Sequence, residues 1–211
     1  MHARRSLASL VLVVIVSACG SAGRPLPLRR DPFPTADLTL VWHGTGEAHR
    51  LEDGVWQRRP EHDYELTVVQ RRYGDRWEST KEMHRRHPDY DGSAGPRDQT
   101  LHFTVLLPAH DEGGDALPLA IESTLGDGAG RADPRFEAAT LRMRANVSSM
   151  APFDTYVIEQ RYRYAEGALD ETVRLVRAGA EGDQEWVRID ERAQLFASAR
   201  FDEPPTVRAP R

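Results

Sequence analysis

Residues 155–190 read TYVIEQRYRYAEGALDETVRLVRAGAEGDQEWVRID. In this stretch Tyr156, Ile158, Tyr162 and Tyr164 fall on one face of an extended chain, and Val157, Glu159, Arg161 and Arg163 fall on the other. A period of two is the signature of a strand with one side against a core. Glu166-Gly167 then turns the chain into Thr172–Arg177, and the segment from Gly179 to Asp183 turns it into Glu185–Asp190. Three antiparallel strands with short connections follow from these residues alone.

The same alternation extends outward. Leu38, Leu40 and Trp42 alternate with Thr39, Val41 and His43, and Tyr64, Leu66 and Val68 share a face of a strand running to Tyr73. Gly74-Asp75 turns that strand into Trp77–Met83, and a further strand, Gln99–Leu107, ends at Pro108. Leu117–Leu125 and Phe136–Ala145 read as two more strands. The glycine-rich stretch GDGAGRADPR (126–135) between them reads as a hairpin loop using glycine for positive φ. After Asp190, ERAQLFASARF reads as a helical turn or two or as another strand; Ala193, Phe196 and Ala197 at helical spacing favour the helix. Eight or nine short antiparallel strands with no long amphipathic helix imply a mainly β domain over 37–201. The expected architecture is an antiparallel β-sandwich or a curved, partly open β-barrel, with a short C-terminal helix.

The N-terminus has a different character. Arg4 and Arg5 precede a ten-residue apolar run, Leu7 to Val16, broken only by Ser9. That run is too short to cross a bilayer, which takes about 20 residues, and fits the apolar region of a signal peptide. The stretch Val16-Ser17-Ala18-Cys19 resembles the lipobox of bacterial lipoproteins. The resemblance covers only this segment. It implies a signal peptide over 1–18, cleavage between Ala18 and Cys19, a diacylglyceryl group on the Cys19 thiol and an acylated new amino group. Gly20 stands where an Asp would favour inner-membrane retention, so an outer-membrane destination is implied for an organism with two membranes. Residues 19–36 follow with Pro25, Pro27, Pro32 and Pro34 and read as an extended tether, long enough to hold a domain roughly 50 Å from its anchor. Residues 202–211, with Pro204, Pro205 and Pro210, read as a disordered tail.

Cys19 is the one cysteine among 211 residues. Once acylated it leaves the domain without a thiol, which excludes a cysteine nucleophile, a disulfide and a thiolate metal site. Loss of Arg4 and Arg5 with the leader takes the formal charge from −5 to −7. An acidic, exported chain is a poor binder of nucleic acid. Lys81 is the only lysine, a usage that reads as a codon bias toward arginine.

The densest polar cluster is Glu82-Met83-His84-Arg85-Arg86-His87-Pro88-Asp89-Tyr90-Asp91. Its imidazoles and carboxylates are the types that bind zinc or another divalent ion. If the strand continues, however, His84 and His87 point to opposite faces. His102 and His110 join them only through tertiary contact. The 126–133 glycines lack the Lys-Ser/Thr ending of a phosphate-binding loop and the acid spacing of a calcium loop. Ser93 is one residue out of register for a nucleophile elbow, and Ser79-Thr80-Lys81 has the wrong spacing for a Ser-x-x-Lys centre. Arg161-Tyr162-Arg163-Tyr164 mixes cations and rings as single-strand nucleic-acid platforms do, but alternation turns both rings into the core. Asn146-Val147-Ser148 is a chance match to a glycosylation acceptor.

These readings favour a non-enzymatic envelope lipoprotein, held on the bilayer by acylated Cys19, that binds a protein, glycan or apolar ligand and needs no cofactor. The competing expectations are an anchored hydrolase or metal-dependent enzyme using His84 and His87 with nearby acids, and a structural part of an envelope assembly. A lipid-binding version requires a concave apolar cavity of roughly 300–1,000 Å³.

Overall fold

Alternating apolar and polar residues carry the chain through twelve antiparallel strands. The computed structural model describes residues 38–73, 76–107, 116–147, 151–200 and 206–207. The leader, Cys19, the tether, the Gly74-Asp75 turn and His110 lie outside the described residues.

The strands are β1 (Leu38–Glu52), β2 (Val55–Arg58), β3 (Tyr64–Arg72), β4 (Arg76–His84), β5 (Asp98–Leu106) and β6 (Leu117–Ser123). They continue as β7 (Gly126–Ala132), β8 (Ala138–Ala145), β9 (Thr155–Arg163), β10 (Ala168–Arg177), β11 (Gln184–Arg200) and β12 (Thr206–Val207). From β3 to β11 each strand pairs with the next in sequence. β1 closes the ring. One of its edges pairs with β3 from Leu38↔Arg72 to Gly46↔Tyr64, and the other pairs with β11 from Leu38↔Arg200 to Arg50↔Val187. The architecture is therefore a closed barrel of ten strands, β1 and β3 to β11, rather than a sandwich. Closure removes the free edges that an open sheet would expose. β2 pairs with the far end of β1, and β12 adds two rungs to β11 within the segment read as a tail.

The 126–135 stretch read as a loop is largely strand β7. Its inward positions, Gly126, Gly128 and Gly130, carry no side chain, so the apolar alternation that marks a strand is missing from the sequence. Glycine is required there: a Cβ at Gly128 would stand 2.0 Å from the Arg142 carbonyl oxygen on β8. Leu119, Ile121, Leu141 and Met143 on the flanking strands pair across these glycines and fill the space.

The expected C-terminal helix is also strand, the second half of β11. The register slips where Val41 pairs with Ala197 but Trp42 pairs with Leu195, leaving Phe196 as an extra residue. This β-bulge breaks the period of two after Glu191, Ala193 and Leu195, and so imitates helical spacing. The exposed edge of β1 decides the matter by pairing along the whole segment. A second slip on β11, opposite Leu175 and Val176, makes Trp186 the extra residue of another bulge.

The ten strands define two ends. At one lie the start of β1, the end of β3 and the end of β11, where the rings of Trp42, Trp77, Phe136 and Tyr162 fill the interior. Trp77 packs at a tilt against Phe136, with 3.8 Å between centroids, and the Arg72 guanidinium lies 3.9 Å from the Trp77 ring. The opposite end is bordered by the β1–β3 connection, residues 85–97 and residues 151–154, and it is open. Outward strand positions carry ion pairs such as Arg174–Glu159 and Arg174–Glu185, not the apolar band of a membrane barrel.

Candidate functional site

At the open end the barrel encloses a cavity of about 680 Å³. Its wall is an apolar belt in which Met83, Leu101, Phe103, Ile158, Val173 and Ile189 project inward from five strands. Each owes its direction to strand phase: Trp77, Ser79, Lys81 and Met83 are the odd, inward positions of β4, and Leu101 and Phe103 those of β5. Space remains because the inward positions of β1 here are the small residues Gly46 and Ala48, before His49 and Arg50 at the mouth. The Tyr64 ring lies over Gly46, where a Cβ would stand 2.4 Å from the ring. The wall is thinnest where β5 and β6 share only four residue pairs, Phe103↔Ser123 to Leu106↔Ala120. Trp186, re-aimed by its bulge, and Phe153 stand beside the mouth.

The floor is ionic. Lys81 Nζ donates to Glu171 Oε1 at 2.9 Å and to Glu191 Oε1 at 2.5 Å. The Tyr64 hydroxyl donates to Glu191, and Gln160 Nε2 donates to Glu171 Oε2 at 2.5 Å. Lys81, Glu171 and Glu191 are each less than a tenth exposed. Burial works against the Lys81 ammonium, but the two carboxylates outweigh it and hold its pKa above the usual value. Burial likewise opposes ionisation of Glu171, yet Lys81 and the hydrogen bond from Gln160 hold it below its usual range. Glu191 has the weaker support: burial, with the neighbouring Glu171 charge adding to it and Lys81 opposing, pushes it up to about 7. Burial first, then the Glu191 carboxylate, raises the Tyr64 phenol, so it stays a donor at neutral pH.

Beneath this floor a second polar layer seals the barrel. Trp42 Nε1 donates to Gln70 Oε1 at 2.9 Å, and Gln70 Nε2 donates to the Tyr162 hydroxyl at 2.8 Å. The Trp42 indole, the Gln70 amide and the Tyr162 hydroxyl are thereby hydrogen-bonded to one another, as interior polar groups require.

The residues singled out in the sequence lie elsewhere. His84 is on the outer face of β4, its Nδ1 2.8 Å from Asp98 Oδ1, and His87 Nδ1 accepts from the Asp89 amide at 3.2 Å. Both border a shallow outer groove with Glu47, Asp63 and Glu65, but Asp63 is held by Arg58. His102 is on the outer face of β5 beside Thr80. Among the described residues no three His, Cys, Asp or Glu side chains are arranged to hold a metal. Ser93 sits at the cavity mouth, where its amide closes a turn onto Asp91 Oδ1 at 2.8 Å. The Tyr162 ring is inside, as alternation requires, with Tyr164 stacked on it at 5.4 Å.

The ionic floor was missed in sequence. Its signal is charge in apolar phase: Lys81 falls between Trp77 and Met83, Glu171 one step before Val173, and Glu191 one step before Ala193. Comparison with family models, with curated proteins and with solved structures finds no match for this chain.

Proposed function

We propose that the barrel binds one apolar or amphipathic small molecule in its open-end cavity, and that acylated Cys19 holds it at the cell envelope as a non-enzymatic binding protein. The observation that carries this reading is the cavity itself: about 680 Å³, belted by aliphatic and aromatic side chains and open at one end. Its size is that of small-molecule sites, and its apolar wall with few polar groups is their usual chemistry. A protein or glycan would call for an outer face suited to it, whereas the outward strand positions hold paired charges. The start of β1 lies at the closed end, opposite the mouth.

The neutral fluorophore N-phenyl-1-naphthylamine tests the reading. Wild-type protein is expected to enhance its emission saturably at one site. Val173→Phe, which projects a larger ring into the belt, is expected to weaken that binding by about tenfold or more while the protein remains folded by circular dichroism. No saturable enhancement with the wild type, or equal binding by the variant, contradicts the proposal.

A further inference from the structure

We propose that the ligand is an amphiphile with a carboxylate head, and that Arg85 is the group that binds that head. This rests on the cavity being a ligand site.

The charges buried in the barrel do not balance. Arg72, Lys81 and Arg85 face only Glu171 and Glu191 among the described residues buried there. Lys81 takes both carboxylates. Arg72 is sealed at the closed end, where its guanidinium lies over Trp77 and donates to the Tyr164 hydroxyl at 2.9 Å. Arg85 is left. It is 5% exposed, forms part of the cavity wall, and has no carboxylate within ion-pair distance among the described residues. Nη1 donates to the Pro96 carbonyl at 2.7 Å and Nη2 to Gln99 Oε1 at 3.2 Å, both neutral acceptors, while Nε is buried with no partner. A guanidinium has five N–H donors, and burying its charge uncompensated is costly. A carboxylate supplies the missing charge and accepts two of the remaining donors in the paired geometry that suits arginine.

The position of Arg85 is fixed on every side. It continues the inward phase of β4, two inward steps beyond Lys81, about 13 Å toward the mouth at strand rise. The Tyr64 and Tyr90 rings lie 5.6 and 5.3 Å from its guanidinium carbon. The connection that brings Tyr90 and Pro96 over it is itself pinned by Arg97, which donates to the carbonyls of Arg85, His87, Pro88 and Tyr90. At the mouth the other cations, Arg50 and Arg59, are already paired with Glu52. A bound amphiphile therefore has its head at Arg85, beneath residues 86–97, and its apolar body against Met83, Leu101 and Ile189. The floor carboxylates, both engaged by Lys81, have no such vacancy for a cationic ligand.

Three pyrene-labelled probes of equal chain length, a carboxylic acid, a primary alcohol and a primary amine, separate the possibilities. The wild type is expected to bind the ionised acid at least about tenfold more tightly than the alcohol, and Arg85→Gln is expected to bring that ratio close to one. The wild-type ratio needs no variant, so it stands even if Arg85→Gln fails to fold. Equal affinity for acid and alcohol, a preference for the amine, or an unchanged ratio in Arg85→Gln overturns the role of Arg85. Failure of all three probes to bind overturns the cavity reading instead.

Discussion

Lys81→Met is expected to lower the free energy of unfolding by about 3–5 kcal/mol at neutral pH, read by urea denaturation followed by tryptophan fluorescence. The substitution leaves two carboxylates, Glu171 and Glu191, buried in the barrel without a counter-charge. Breaking a buried ionic group by removing one partner costs about that much, because the remaining charge has neither water nor a partner. The triple variant Lys81→Met, Glu171→Gln, Glu191→Gln is expected to recover most of the loss, since neutral amides carry no such penalty. A loss in Lys81→Met below about 1 kcal/mol contradicts the ionic floor. The pH dependence follows from the same groups. Glu191 in the folded protein titrates near 7, above the value of about 4.3 for an unfolded glutamate. Between those two values the folded state holds the extra proton, so stability falls as pH rises from about 4.5 to 7 and then levels off. A full shift of that size corresponds to roughly 3–4 kcal/mol. Glu171, held low, acts in the opposite sense and costs stability only as pH falls below its unfolded value. Glu191→Gln is expected to flatten the slope between pH 4.5 and 7; persistence of the slope in that variant would assign it to another group.

Trp42→Ala is expected to cost a similar amount, about 3–5 kcal/mol, through the closed end rather than the floor. Trp42 has no exposed surface, its ring lies 6.0 Å from that of Tyr162, and its indole N–H donates to Gln70. Removing a buried aromatic side chain forfeits its burial and leaves a void that the barrel wall cannot collapse to fill. Trp42→Phe separates the contributions: it keeps most of the packing but leaves Gln70 Oε1 without its donor, at about 1–3 kcal/mol. Equal losses in the two variants would mean that the hydrogen bond, not the ring volume, dominates there.

What was legible in the sequence was whatever kept a period of two with side chains to show it. β9, with Tyr156, Ile158 and Tyr162 turned inward, announced both its strand character and its core face, and β10 announced its strand character. β7 was silent because its inward positions are glycines, and their meaning depends on Arg142 and Arg144 of the next strand, which no local pattern reveals. The end of β11 misled because one bulged residue, Phe196, shifts the phase. Barrel and sandwich share every local signal, and what separates them is a single pairing between residues about 150 apart, β1 with β11.

The candidate site was hidden for a different reason. The histidines attracted attention because metal and acid–base chemistry is read from residue type, yet His84, His87 and His102 all lie outside the barrel. Lys81, Arg85, Glu171 and Glu191 look like surface charges in composition. Only their phase, in step with Trp77, Met83, Val173 and Ala193, turns them inward. Phase along a strand was a better guide to this interior than residue chemistry.

A crystal structure of the protein soaked with 11-bromo-1-undecanol tests the central claim most directly, because the anomalous signal of bromine locates the chain without reference to fluorescence or affinity. The cavity account predicts a single bromine site inside the belt of Met83, Ile158, Val173 and Ile189, above the Lys81–Glu171–Glu191 floor. An empty or collapsed belt, with bromine absent or bound only on the outer wall, would contradict it.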